Sequence, residues 1–241
     1  MTIKKLITLA SLATASLQVQ ATPLFNIFEL GVQSQATAKY DAVAQNNIST
    51  SIAQEKGTLA MYSLKDANNP NLAYMVEVYA DQEAYQVHAQ SPQYKNFLEN
   101  SPQILTDHKV RIALEPQFMA DKKVEATAPV TTKLVKVTVK PEFNQAFAEI
   151  VVGEMQEAIK VEEGVLAMYA AKTKEQDNVW YFFEIYADEQ AYEYHRQTPH
   201  YKYYIEQTQH MVEDKYFYNL TPSYLGNQGG LTWLRNDVLK F

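Results

Sequence analysis

One stretch of this sequence is written twice. Gly-Thr-Leu-Ala-Met-Tyr at 57–62 returns as Gly-Val-Leu-Ala-Met-Tyr at 164–169, and Glu-Val-Tyr-Ala-Asp at 77–81 returns as Glu-Ile-Tyr-Ala-Asp at 184–188. Ala84, Tyr85 and His88 return as Ala191, Tyr192 and His195, and Ser91-Pro92-x-Tyr94-Lys95 returns as Thr198-Pro199-x-Tyr201-Lys202. Every pair is separated by 107 residues, with no gap from Gly57 to Lys95. That period is far longer than the ~20–50 residues of solenoid arrays, so the chain carries a duplicated domain. Whatever one copy folds into must accept a second copy beside it.

Each copy reads as α+β. An apolar segment opens it, at 24–32 or 133–139. The second is rich in β-branched side chains (Val135, Val137, Val139) and predicts a strand. A helical pattern follows; in the second copy Phe143, Phe147, Ile150, Val151 and Ile159 recur near 3.6 spacing behind Pro141. Gly57 and Gly164 suit the left-handed position after that helix. Strands at 58–65 and 72–79 are joined by the turn sequence Asn-Asn-Pro-Asn at 68–71. Asp81 and Asp188 stand as N-caps of a second helix. Pro92 and Pro199 begin a short third helix, and a last strand reaches Phe118 or Leu225. The order is β-α-β-β-α-β, a ferredoxin-like unit whose sheet has one open face. A fused second copy can bury that face, which gives the duplication a physical purpose.

The expected boundaries are a first unit at 22–118, an exposed linker at 119–131, a second unit at 132–225 and a tail at 226–241. In the tail Leu231, Leu234 and Val238 fall at helical spacing, which predicts a helix docked on the body or closing over a pocket. Residues 1–21 read as a signal peptide: Lys4 and Lys5, an apolar stretch at 6–17, then Val-Gln-Ala ending at Ala21. The expected location is therefore periplasmic or secreted, with no membrane span in the mature form. The 241 residues carry a formal charge of -7 and no basic patch, which argues against nucleic acid. Cysteine is absent, so thiol nucleophiles and Cys-ligated metals are excluded.

The string Gly-x-Leu-x-x-Tyr, turn, Glu-x-Tyr, Asp-x-x-Ala-Tyr-x-x-His, Ser/Thr-Pro-x-Tyr resembles the antibiotic biosynthesis monooxygenase domain in both copies. The resemblance implies an intramolecular version of that family's dimeric α+β barrel, two tandem ferredoxin-like units packed as an internal pseudo-dimer. It also implies an activity like that of the family's quinol monooxygenases. Members of this fold include cofactor-free oxygenases, haem-degrading enzymes and isomerases, so the fold alone leaves the reaction open.

Four side chains are candidates for chemistry. His88 and His195 lie on the apolar helix face and point toward the sheet, either as proton carriers or as core histidines holding helix to sheet. Glu77 and Glu184 lie mid-strand in apolar runs and must be paired, hydrated or protonated. They can orient the histidines or serve as structural links. Tyr62, Tyr79 and Tyr85, repeated as Tyr169, Tyr186 and Tyr192, can hold a phenolic substrate or fill the core. Spacing gives no metal set from His108, His200 or His210, and no nucleotide fingerprint is present. The expectation is an exported, cofactor-independent monooxygenase acting on a small aromatic, quinol or enolisable substrate. The alternatives are a non-catalytic ligand-binding or stress-response module and, more weakly, haem binding. Bulkier residues in the second copy (Phe182 for Met75, Trp180 for Ala73, Tyr194 for Val87) predict the better cavity in the first. The sequence leaves further pairing of whole chains open.

Overall fold

The computed structural model describes residues 21–239. The first unit contains strand β1 (Leu24–Val32), helix α1 (Thr37–Gln54), β2 (Thr58–Asp66), β3 (Leu72–Tyr79), α2 (Gln82–Gln90), α3 (Pro92–Ile104) and β4 (Leu105–Asp121). The second contains β5 (Thr131–Val139), a 3-10 turn at Pro141–Phe143, α4 (Asn144–Val161), β6 (Val165–Thr173), β7 (Val179–Tyr186), α5 (Glu189–His195), α6 (Pro199–Thr208), β8 (Val212–Tyr218) and β9 (Leu220–Asn227). This is the expected βαββαβ order, twice. The asparagine turn forms as well, with Asp66 Oδ1 accepting from the amides of Asn68 and Asn69 at 2.8 Å. Asp81 and Asp188 cap their helices by accepting from Ala84 N at 2.8 Å and Ala191 N at 2.7 Å.

The strands run β8-β5-β7-β6-β4-β1-β3-β2-β9. The last strand of each unit serves both units. β4 pairs with β1 as far as Leu114, then with β6 from Leu114 onward. β8 pairs with β5, and after Asn219 the chain continues as β9 against β2. The two strands close the sheet into a barrel whose interior is apolar and aromatic. Phe25, Ile27, Tyr62, Val76, Tyr169 and Phe183 are fully buried there. Side chains alternate along each strand, so Met75, Glu77 and Tyr79 face the helices while Tyr74, Val76 and Val78 face the barrel. Tyr40 and Ile48 of α1, and Phe147 and Val151 of α4, pack onto the outer faces.

Three expectations are corrected. Gly57 and Gly164 do not adopt positive φ; among the described residues only Gly229 and Gly230 do, at 78° and 80°. They are needed for close approach instead, because a Cβ on Gly57 would sit 2.5 Å from Ala84 Cβ, and one on Gly164 2.6 Å from Ala191 Cβ. The tail makes a strand and no helix: Gly229 and Gly230 turn the chain back so that β10 (Thr232–Leu234) pairs with β4 and buries Trp233. Strand pairing satisfies backbone groups on the open edge of β4 that a docked helix would leave unpaired. The linker also begins later and is less exposed than expected. β4 runs through Asp121, Val124 is buried, and Val124 N donates to Asn227 Oδ1 at 2.9 Å. The predicted signal peptide lies almost wholly outside the described residues. Among those described, no helix is long and apolar enough to cross a membrane.

Candidate active site

The outer face of the first unit's sheet holds a cavity of about 240 Å³ under α2 and α3. Phe28, Met75, Phe97 and Leu105 supply its apolar wall, and Glu77, Asn47 and Arg111 its polar end. Glu77 is 7% exposed. Burial raises its pKa to about 7, against the opposing pull of a hydrogen bond from Tyr79 and the nearby Arg111 charge. Tyr79 OH donates to Glu77 Oε2 at 2.9 Å, and burial beside that carboxylate pushes the Tyr79 phenol far upward, so it stays a donor. Arg111 reaches across from β4 and is fixed by two bonds to Asn26 Oδ1, at 3.1 Å from Nε and 3.0 Å from a terminal nitrogen. Asn47 Oδ1 is buried without a partner at this same cavity.

His88 does not line that cavity. Its ring lies behind Tyr79 and Tyr94, with centroids 5.4 and 4.9 Å away. Nδ1 is 3.0 Å from Glu55 Oε2 and 3.2 Å from Ser51 Oγ. Glu55 also accepts from Thr58 Oγ1 at 2.5 Å and Gln93 Nε2 at 2.6 Å. This network ties α1, β2, α2 and α3 together. Burial lowers the His88 pKa despite Glu55, which favours the neutral ring.

The second unit repeats the plan with different contents. Its cavity is about 50 Å³, and Phe182, Tyr204 and Phe217 occupy the space. The β5–β8 register puts Phe217 opposite Val135, where β1–β4 puts Arg111 opposite Phe28, so the arginine is replaced by a ring. Glu184 accepts from Tyr186 OH at 2.7 Å, and burial raises its pKa. His195 Nδ1 is 2.8 Å from Glu162 Oε1, and His200 Nε2 is 2.6 Å from the same oxygen. Burial alone would lower the His195 pKa, but its bond to Glu162 and the fields of Glu154 and Glu184 raise it.

The structure therefore brings together Glu77 and Tyr85 at one cavity, and Glu184, Tyr192 and His195 at the corresponding place, with Tyr79 and Tyr186 behind them bonded to the two glutamates. It does not give the expected glutamate partners. Glu55 and Glu162 hold the histidines, while Glu77 and Glu184 are held by Tyr79 and Tyr186 two residues on. Tyr62 and Tyr169 face the barrel interior by strand alternation and bond each other at 3.1 Å, with Tyr169 OH donating to Asp121 at 2.5 Å. They do not reach either cavity. Glu55 and Glu162 were detectable, since they stand two residues before the repeated glycines and are themselves 107 apart. Arg111 and Asn47 have no repeat signal, because the second copy carries Phe217 and Glu154 in their places.

A family model described as antibiotic biosynthesis monooxygenase matches residues 23–100 and 131–207. A crystal structure of a candidate monooxygenase from Lactobacillus acidophilus NCFM is 32% identical with a TM-score of 0.83, covering 88% of this chain and 99% of that one. A second, from Fusobacterium nucleatum, is 28% identical with a TM-score of 0.83, covering 89% and 99%. An anthrone oxidase-like protein shares the fold at 13% identity, with a TM-score of 0.52 over 90% of this chain and 95% of that one. No curated protein matches the chain.

Proposed function

We propose an activity from one premise, that this chain belongs to the antibiotic biosynthesis monooxygenase family. The activity is cofactor-independent oxygenation of a small aromatic, quinol or enolisable compound in the cavity of the first unit. One observation carries the reading: a buried carboxyl with a pKa of about 7, Glu77, lines a cavity of about 240 Å³ that has an apolar wall. An apolar cavity of about 150 Å³ already holds a benzene ring, so one or two fused rings fit.

Glu77 is the base in this reading. With a pKa of about 7 it can exist in both forms near neutral pH, and its ionised form is placed to take a proton from an acidified C–H or O–H of the substrate. The Arg111 charge stabilises the resulting anion, and Tyr79 holds the carboxyl in position. The electron-rich anion forms a C–O bond with dioxygen. At a CH2 centre the hydroperoxide then loses water to leave a carbonyl. The substrate supplies all four electrons, one oxygen atom enters the product and the other leaves as water, so no external reductant is consumed. His88 acts by holding α2 to α1, not by touching substrate.

Export belongs to the same proposal and is supported by the tripartite pattern at 1–21. N-terminal sequencing of protein recovered from outside the cytoplasm should begin at Thr22. Oxygen uptake with a panel of quinols and hydroxyaromatics tests the activity. Glu77→Gln should lower kcat by at least about 100-fold, the usual scale for a general base. Equal rates in wild type and variant would sink the assignment. Stoichiometric calorimetric binding without oxygen uptake would favour the non-catalytic binding module.

A further inference from the structure

The second unit carries a group of side chains that the oxygenation reading leaves unused. Glu154 on α4, His195 on α5 and His200 on α6 each offer a ligand atom, and these atoms lie within 4.8 Å of one another. Glu162, just past the end of α4, bonds His195 Nδ1 at 2.8 Å. That bond fixes the ring and turns Nε2 toward Glu154. That nitrogen is 3.6 Å from Glu154 Oε1, too far for a hydrogen bond. Glu154 Oε1 has no partner although its side chain is only 5% exposed, and Glu162 Oε2 is buried and unpartnered as well.

A buried carboxyl oxygen and an imidazole nitrogen that face each other need a proton or a metal cation between them. Ligands bound tetrahedrally at ~2.0–2.1 Å stand roughly 3.3 Å apart; His195 Nε2 and Glu154 Oε1 are 3.6 Å apart, and His200 lies within 4.8 Å of both. The adjoining cavity of about 50 Å³, lined by Glu154 and His195, suits an ion with a water; one water occupies about 30 Å³. Lys133 and Lys215 also line it, but both interact with Glu184, which leaves Glu154 and Glu162 to balance a double positive charge.

The first unit is an internal control. Where the second has Glu154 and His200, it has Asn47 and Gln93, while Glu55 and His88 match Glu162 and His195. Gln93 Nε2 donates to Glu55 at 2.6 Å, the place that His200 Nε2 takes on Glu162 at 2.6 Å, and His88 Nε2 faces no carboxylate, because Asn47 stands where Glu154 does. The change between copies replaced two neutral amides by two groups that bind metals.

We propose that Glu154, His195 and His200 form a binding site for a divalent cation of the zinc class, with Glu162 orienting His195 through Nδ1. Coordination replaces the present His200–Glu162 hydrogen bond and clamps α4, α5 and α6 to one point. Carboxylate support of a ligating imidazole is the usual outer partner of such a site.

Calorimetric titration of Zn2+ into the mature chain tests this. Wild type should bind one equivalent, and Glu154→Asn with His200→Gln should bind at least about 100-fold more weakly. Both replacements are residues the same fold already accepts at the matching positions of the first unit. His108→Ala, which removes the surface His108–Glu29 pair, should leave the affinity unchanged. X-ray absorption on zinc-loaded wild type should show two imidazoles on the metal, a readout independent of any variant. No saturable binding, unchanged affinity in the double variant, or fewer than two imidazoles would each overturn the site.

Discussion

Tyr79 donates its hydroxyl to Glu77 across 2.9 Å, between residues that share one face of the same strand. Even with that bond, burial keeps the Glu77 pKa near 7, above its ordinary value of 4.5. The folded protein therefore holds a proton that the unfolded chain has released between these values. Stability should fall as pH rises from about 4.5 to 7, by about 3 kcal/mol from this group. Glu77→Gln should flatten that slope in urea denaturation measured across the window. Oxygenase activity should rise over the same range, because the base works only when ionised. A pH-independent difference between wild type and variant would contradict both.

Met75→Phe places in the first unit the ring that Phe182 places in the second. The cavity of about 240 Å³ should shrink toward the 50 Å³ of its counterpart. We expect aromatic ligand affinity to fall at least about 10-fold, or ~1.4 kcal/mol. Melting temperature should hold or rise, because filling a void restores contacts. Crystals soaked with such ligands should show them in the first unit only.

Tyr169→Phe removes the donor to Asp121 inside the barrel, and should destabilise by about 1–3 kcal/mol in denaturant titration. Tyr62→Phe removes only the outer bond of that pair and should cost about 0.5–1.5 kcal/mol. Neither change should alter turnover per folded molecule. A selective loss of kcat with stability intact would return these tyrosines to the list of substrate contacts.

Gly57→Ala should destabilise by about 1–3 kcal/mol, because its new methyl meets Ala84 Cβ at 2.5 Å. Gly153→Ala, inside α4 with nothing within 4 Å, should instead stabilise by about 0.5–1 kcal/mol. Thermal melts of the two variants should shift in opposite directions.

Much of the architecture was legible because repetition checks itself. A cap such as Asp81 that returns as Asp188 is read twice in one chain, and the duplicated β-α-β-β-α-β pattern gave two ferredoxin-like units, which the family resemblance joined into a barrel. The glycines were placed correctly but for the wrong cause, since a missing Cβ serves left-handed turns and tight packing alike. The tail misled because Leu231, Leu234 and Val238 fit a helical period, while the open edge beyond Phe118 that captures Trp233 is not visible locally. In the site, Glu77 was legible as a carboxylate in an apolar strand. Its neighbours were not: Arg111 arrives from a strand 34 residues away, and Asn47 reads as an ordinary helix residue. The group around His195 escaped for the same reason, as Glu154, Glu162 and His200 converge from two helices and a cap.

β4 changes partners at Leu114, which is registered against Phe25 on one side and Thr173 on the other. Its counterpart makes the reverse exchange through Asn219. Neither unit owns a complete sheet, so neither can lose its structure while the other keeps it. Heating should accordingly produce a single calorimetric transition for the whole body, and an occupant bound in either unit should raise the melting temperature of both. The barrel thus turns two diverging pockets into one thermodynamic object: they are free to differ in chemistry, but they share a common fate when the chain unfolds.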